Sequence, residues 1–133
     1  IAPSLVGSEM CIRDRCFIDA LRGLYWVLKT EWNFRIHLAM ACLVVLLGWL
    51  FKISYAEWLA VIICSALVIV AEVLNTSLEY LADAVHPHMD RGVGRAKDAA
   101  AAGVMIAAVA ASVVGAIVFL PRTWDWLTTL IER

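Results

Sequence analysis

Carboxylate and amide side chains recur at helical spacing in the middle of this sequence, and a Lys–Asp pair follows them after a polar loop. The recurring residues are Glu72, Asn75, Glu79 and Asp83, and the pair is Lys97 and Asp98. At about 100° per residue, the first four positions fall in a single stripe on one helix face. The flanking segments 58–71 and 99–121 contain no Asp, Glu, Lys or Arg. A charged side chain at the centre of a bilayer costs roughly 2.5–3.5 kcal/mol, so carboxylates at that depth indicate a functional site.

Oxygen ligands in this arrangement suit a divalent cation and a phosphate chain. Mg²⁺ keeps several waters and usually binds through one or two carboxylates together with substrate phosphates. Lys97 can then contact a phosphate, and a carboxylate deeper in the helix can take a proton from an alcohol that arrives through the lipid. The spacing therefore favours phosphoryl transfer to a membrane-embedded alcohol.

Two other interpretations of the stripe stay open. Its Asn, Thr and Glu side chains can form a polar zipper that fastens identical helices in a non-catalytic membrane oligomer. A proton path along the stripe is also possible, but it predicts acidic residues on more than one span. Transfer of labelled phosphate from ATP to a lipid is expected only if the stripe is a phosphoryl-transfer site.

The composition is that of a membrane protein with one domain. Of the 133 residues 63% are hydrophobic and 17% charged, where a soluble domain carries about a quarter charged residues. The net charge of −1, without a basic patch interleaved with aromatics, gives no indication of a nucleic-acid partner. Four cysteines lack the spacing of a metal site, and Cys42 and Cys64 in apolar runs are interpreted as small buried hydrophobic residues.

The hydrophobic pattern predicts an all-α fold with an amphipathic interfacial helix over residues 17–36 and three transmembrane helices. The predicted spans are approximately 36–52, 57–80 and 98–120. Pro87 is expected to end the second transmembrane helix and Pro121 the third, because proline supplies no N–H and clashes with the preceding turn. Segment 1–15 shows no period and resembles a read-through tag. We therefore expect it to be non-native or disordered, with a single membrane-embedded domain over residues 16–133.

The distribution of Lys and Arg predicts the orientation in a bacterial cytoplasmic membrane. With segment 1–15 set aside, six of these residues lie before the first span or in loop 80–98, and three lie on the opposite side. Because cytoplasmic loops carry the excess of positive charge, the amino terminus and loop 80–98 are expected in the cytoplasm. The polar stripe then opens on the side where nucleotides are found.

Four segments resemble the prokaryotic diacylglycerol kinase / undecaprenol kinase family. They are Thr30-Glu-Trp-Asn-Phe-Arg-Ile-His37, Glu72-Val-Leu-Asn-Thr-Ser-Leu-Glu79, Arg95-Ala-Lys-Asp-Ala-Ala-Ala-Ala-Gly-Val104 and Phe119-Leu-Pro121. The resemblance implies an ATP- and Mg²⁺-dependent lipid kinase built as a three-span homotrimer. Its active sites would combine surfaces of neighbouring subunits at the cytoplasmic membrane boundary.

The resemblance also implies roles for individual residues. Glu72 matches the general base that deprotonates the lipid hydroxyl, and Glu31 and Glu79 match metal-binding carboxylates. The implied nucleotide contacts are Glu31, Asn75, Glu79, Asp83, His88, Asp90, Lys97 and Asp98, and the implied substrate contacts are Arg35, Glu72 and Ala101. Asp83 can equally cap the cytoplasmic end of the second span. The segment His86-Pro-His-Met-Asp90 departs from the family's usual sequence at the adenosine contact.

Ala101 favours undecaprenol over diacylglycerol as the lipid substrate. The resemblance places a Ser at this position in the diacylglycerol branch, whereas Ala101 stands in a run of alanines. Without that hydroxyl, the wall offers no polar partner to a glycerol headgroup, whereas a polyprenol presents one hydroxyl on an apolar chain. Diacylglycerol remains the alternative substrate.

Overall fold

In a computed structural model, four helices account for most of the chain. The structure describes residues 3–86, 88 and 90–132, with side chains from residue 15 onward. The helices are α1 (Pro3–Thr30), α2 (Trp32–Leu50), α3 (Tyr55–Val85) and α4 (Arg91–Ile131). Helices α2, α3 and α4 are long and apolar enough to cross a bilayer. The predicted all-α fold with three membrane-length helices after an amino-terminal helix is confirmed.

Helix α1 begins at Pro3, inside the segment expected to be non-native or disordered. Residues 1 and 2 lie outside the described part of the chain. Whether segment 1–15 belongs to the natural protein stays a prediction, because a helical backbone does not report the origin of its residues.

The chain breaks between α1 and α2 at Glu31, where the sequence predicted a continuous helix through Ile36. Glu31 has extended backbone angles, φ −98° and ψ 118°. The Arg35 side chain folds back and donates from Nε to the Leu28 carbonyl at 2.8 Å and from Nη2 to the Lys29 carbonyl. These carbonyls belong to the last turn of α1, which would otherwise lack donors. The continuous helix was therefore a wrong prediction, because a side chain closes α1 without the Gly or Pro that usually signals an end.

Tight packing joins α2 and α3 at the Tyr55 end of α3. Ser54 and Glu57 form a capping box, in which each side chain accepts from the other residue's backbone N–H. Gly48 allows α2 to approach Trp58 closely, since a Cβ there would lie 2.8 Å from the indole ring. Beside it lies a small core of Ile53, Val61, Val118 and Phe119.

Helix α4, the third membrane-length helix, continues through Pro121 to Ile131, so its predicted end at Pro121 is wrong. In the proline's turn, Arg122 Nη1 donates to the Val118 carbonyl, and Nη2 reaches Glu57 of α3 at 2.9 Å. A side chain that donates to a carbonyl near a proline is one reason that membrane helices tolerate this residue. The end of the second membrane-length helix was predicted correctly, since α3 stops at Val85, just before Pro87 in the sequence.

Most large apolar side chains point away from the bundle. Only seven hydrophobic residues are buried among those described. Cys42 is exposed on α2 and Cys64 is half-buried, which corrects the expectation that both are buried. The physical reason is that a lipid-facing helix carries apolar residues outside as well as inside.

Candidate active site

Glu72 lies in the interior of the bundle, on the face of α3 that the stripe predicted. It is 3% exposed, as is Thr76 one turn further on. Phe34 of α2 is also buried, at 2% exposure. Glu72 has no hydrogen-bond partner among the described side chains, and its electrostatic neighbours are His37, Glu31 and Glu79. A buried carboxylate that no described side chain engages can accept a hydrogen bond from a bound hydroxyl.

Asn75 and Glu79 form a linked pair on the next turns of α3. Asn75 Nδ2 donates to Glu79 Oε1 at 2.8 Å. The other amide atom, Asn75 Oδ1, is buried and has no partner among the described residues. Buried polar atoms without partners are rare and call for a ligand, an ion or a water. The pair therefore presents a fixed carboxylate next to an unused acceptor.

The structure brings Glu31 to α3 although the two are distant in sequence. The Tyr80 hydroxyl donates to Glu31 Oε1 at 3.1 Å. The Tyr80 ring packs edge-on against Trp26 of α1, with ring centroids 4.5 Å apart and an interplanar angle of 68°. Glu79 lies close enough to act electrostatically on Tyr80. The Glu31 carboxylate thus lies beside the turn of α3 that carries Glu79.

Lys97 forms an ion pair with Asp83 across the loop between α3 and α4. Lys97 Nζ lies 2.8 Å from Asp83 Oδ1, and Glu79 also acts electrostatically on this lysine. The side chain of Lys97 is 32% exposed and that of Asp83 is 69% exposed. An exposed carboxylate can exchange for another anion, so Lys97 is within reach of a phosphate that enters the site from this end.

The remaining predicted nucleotide contacts lie in or near the same loop. Asp90 caps α4, where its Oδ1 accepts from the Gly92 and Val93 N–H groups at 2.6 and 3.2 Å. These two bonds, from Val93 first and then Gly92, hold the pKa of the Asp90 carboxyl below its usual range. His88 and Asp98 are exposed. The structure gives Asp90 a role in the fold and leaves the nucleotide roles of all three as predictions.

Two predicted substrate contacts are exposed in the single chain, whereas Glu72 is buried. Arg35 is committed to the carbonyls at the end of α1, and its guanidinium carbon lies 5.8 Å from the centre of the Trp32 ring. Ala101 is exposed on the surface of α4. Within one chain, the structure brings together Glu72, Asn75, Glu79 and Glu31 and leaves Arg35 and Ala101 outside that group.

Sequence reasoning missed Tyr80 and His37 as members of the site. Tyr80 is separated from Glu31 by 49 positions, so no local spacing links them. His37 ends one of the segments that resemble the family but was given no role, yet it is half-buried and acts electrostatically on Glu72. A histidine at the start of an apolar helix is a weak signal, and only the packing of α2 on α3 gives it a neighbour.

An apolar groove of about 470 Å³ runs between α2, α3 and α4. Its lining includes Val61, Ser65 and Val68, which lie on the same face of α3 as Glu72, and His37 at the α2 side. Many of its other lining residues are small, among them Ala41, Ala108, Ala111 and Gly115. The groove therefore extends from the neighbourhood of Glu72 toward the Tyr55 end of α3.

The donor set fits a divalent cation whose coordination is completed by phosphate oxygens. Among the described residues, no three His, Cys, Asp or Glu side chains form a metal cluster by themselves. Glu31 contacts Tyr80, which directly follows Glu79, and Asn75, which bonds to Glu79, has an unpaired oxygen at Oδ1. Mg²⁺ typically takes one or two carboxylates and completes its coordination with waters and phosphate oxygens.

The fold and the site define an integral-membrane protein whose polar cluster lies at one end of a three-helix bundle. The family described as "Prokaryotic diacylglycerol kinase" matches residues 19–119. The chain belongs to this family and is a lipid kinase, and family membership implies phosphoryl transfer from ATP. The family match begins beyond segment 1–15.

Two relatives carry kinase names. The chain is 34% identical over 108 residues to a protein of Bacillus subtilis (strain 168) named "Undecaprenol kinase". The matched region covers 81% of this chain and 88% of the Bacillus subtilis protein. It is 32% identical over 122 residues to a protein of Synechocystis sp. (strain ATCC 27184 / PCC 6803 / Kazusa) named "Diacylglycerol kinase". That match covers 91% of this chain and 65% of the Synechocystis protein.

Proposed function

We propose that this lipid kinase transfers the γ-phosphate of ATP to the hydroxyl of undecaprenol, in a Mg²⁺-dependent reaction. The observation that carries the proposal is Glu72, which is 3% exposed and has no hydrogen-bond partner among the described side chains. Its electrostatic neighbours include the carboxylates of Glu31 and Glu79. A proton acceptor next to a site for phosphate and cation is what transfer to an alcohol requires.

Glu72 acts as the general base in this proposal. Its carboxylate accepts the hydroxyl proton while the alcohol oxygen forms a bond to the γ-phosphorus. The bond between that phosphorus and the bridging oxygen of ADP breaks, and ADP leaves with the electron pair. The products are a lipid phosphate and ADP, and the proton on Glu72 returns to solvent.

Residues at the Val85 end of α3 position the nucleotide. Glu31 and Glu79 would hold a Mg²⁺, which would supply neutralisation of charge on the phosphates. Lys97 exchanges Asp83 for a phosphate oxygen, since its ion pair with Asp83 is solvent-accessible. The further proposed nucleotide contacts are Asn75, Asp83, His88, Asp90 and Asp98.

The substrate preference rests on the apolar groove and on the relatives. The groove leads from the vicinity of Glu72 along α3, and its lining is mostly apolar, with Val and Ala as the commonest residues. Such a channel suits an isoprenoid chain, which is apolar along its whole length, and Ala101 adds no polar partner for a glycerol headgroup. The Bacillus subtilis relative is named "Undecaprenol kinase", which agrees with this choice.

The proposed setting is the bacterial cytoplasmic membrane, with the amino terminus and loop 80–98 in the cytoplasm. The excess of Lys and Arg on that side supports this orientation. We also propose a homotrimer with active sites completed by neighbouring subunits. The exposure of Ala101 in the single chain supports it, because this predicted substrate contact then remains available to a neighbour.

The testing experiment is a competition assay with purified protein, Mg²⁺ and radiolabelled ATP. Undecaprenol and diacylglycerol are supplied at equal mole fraction in mixed micelles, and the labelled products are separated by chromatography. We expect the label predominantly in undecaprenyl phosphate. Preferential labelling of diacylglycerol, the substrate in the name of the Synechocystis relative, would replace the proposed substrate and leave the kinase assignment intact.

A further inference from the structure

Tyr80 connects one of the two proposed metal carboxylates to the packing between α1 and α3. Its hydroxyl donates to Glu31 Oε1 at 3.1 Å, and its ring packs against Trp26 at a centroid distance of 4.5 Å. Tyr80 therefore has a polar and an aromatic contact with residues far away in sequence. Each contact restricts the orientation of the ring, and together they fix where the hydroxyl lies.

The carboxylate that Tyr80 contacts has little else to hold it. Glu31 occupies the break between α1 and α2, at the N-cap position of α2, and its side chain makes no capping hydrogen bond. Its backbone is held, since its N–H donates to the Val27 carbonyl at 2.9 Å. Among the described residues, only Tyr80 donates a hydrogen bond to the Glu31 side chain. Without this bond, no described hydrogen bond would fix the rotamer of the Glu31 carboxylate.

The other proposed metal carboxylate is held in the same manner. Asn75 Nδ2 donates to Oε1 of Glu79 at 2.8 Å, as Tyr80 donates to Oε1 of Glu31. In both cases one oxygen is engaged, and Oε2 has no hydrogen-bond partner among the described residues. Metal-binding carboxylates are commonly oriented by such hydrogen bonds, and loss of the bond typically reduces metal affinity by 10–100-fold.

We infer that Tyr80 is a positioning residue for the metal site, which fixes the Glu31 carboxylate so that its free oxygen faces the cation shared with Glu79. The inference rests on the proposed function, because it assumes that Glu31 is a metal ligand. Tyr80 follows Glu79 directly in α3, so one helical turn sets both the second ligand and the hydroxyl that orients the first. Trp26 keeps the ring from turning away.

The test compares Tyr80→Phe with a matched control, Tyr55→Phe. Both changes remove one phenolic hydroxyl from α3, and Tyr55 is 81% exposed at the opposite end of the helix. Tyr80→Phe keeps the ring that packs on Trp26, so the fold is retained, and thermal unfolding in detergent verifies this. The Mg²⁺ concentration at half-maximal rate and kcat at saturating Mg²⁺ are measured for each variant.

We expect Tyr80→Phe to raise the Mg²⁺ concentration at half-maximal rate by about 10–100-fold, with kcat at saturating Mg²⁺ close to that of the parent. Tyr55→Phe should leave both values unchanged. A second readout is direct binding of Mn²⁺, followed by electron paramagnetic resonance in the presence of an ATP analogue with a non-transferable γ-phosphate. Tyr80→Phe should weaken this binding by a similar factor.

Glu31→Ala distinguishes failure of the inference from failure of the proposed function. If Glu31→Ala raises the Mg²⁺ requirement and Tyr80→Phe does not, Tyr80 has only a packing role and the inference is overturned while the metal site stands. If neither variant changes the Mg²⁺ requirement, the proposed metal site itself is wrong. In the Glu31→Ala background, Tyr80→Phe should have no additional effect. An additional loss there would show that Tyr80 does not act through Glu31.

Discussion

Replacement of Glu72 by Gln tests the proposed base most directly. Gln has nearly the size of Glu and keeps its hydrogen-bonding capacity, so the buried position stays filled and no cavity forms. It cannot accept the proton of the lipid hydroxyl. Because Glu72 is 3% exposed and has no hydrogen-bond partner among the described side chains, the change removes the proton acceptor and little else.

The structure indicates how large the loss should be. Glu79 lies seven residues further along α3, about 10.5 Å along the helix axis, whereas a base must approach within about 3.2 Å of the proton donor. Glu79 is also bonded to Asn75, and Glu31 to Tyr80. Neither carboxylate can replace Glu72, so we expect the full loss of about 10²–10⁴-fold in kcat that general-base catalysis contributes. This corresponds to about 2.7–5.4 kcal/mol in the activation barrier.

The assay follows transfer of labelled phosphate to undecaprenol in mixed micelles, at saturating ATP and Mg²⁺ and over a range of pH. Glu57→Gln is the matched control, since Glu57 lies on the same helix at the opposite end of the bundle and pairs with Arg122. It should leave kcat near the parent value. Nucleotide binding, measured by equilibrium dialysis, should persist in Glu72→Gln. Near-parent activity of Glu72→Gln across the pH range would refute the base assignment and favour the polar-zipper interpretation.

Two further predictions concern the metal site and the packing of α2 on α3. Glu31→Ala and Glu79→Ala should each raise the Mg²⁺ requirement steeply, and the double variant should be far from additive, since the two carboxylates share one ion. Additive effects in Mg²⁺ titrations would mean that they do not. Gly48→Ala should lower the thermal stability in detergent by about 1–3 kcal/mol, because the added Cβ would lie 2.8 Å from Trp58. An unchanged unfolding midpoint would contradict this, with Gly103→Ala as control because its Cβ meets no atom within 4 Å.

Local periodicity was sufficient for the parts of the site that lie on one helix. The spacing of Glu72, Asn75 and Glu79 placed them on one face of α3, and the structure shows Glu72 buried and the other two hydrogen-bonded. Positions four apart in a helix are neighbours whatever surrounds them, so their contact follows from the sequence. The apolar segments likewise determined the three membrane-length helices, since their lengths match a bilayer.

Tertiary structure decided the features in which a side chain meets a distant part of the backbone. Arg35 closes α1 and creates the break at Glu31, and Arg122 donates beside Pro121 where the sequence predicted a helix end. Both effects depend on where a long side chain folds, which no periodicity encodes. Tyr80 meets Glu31 across 49 positions only because α1 packs on α3. The sequence alone determined which residues can do chemistry, and the packing of the helices determined which of them are held in place to do it.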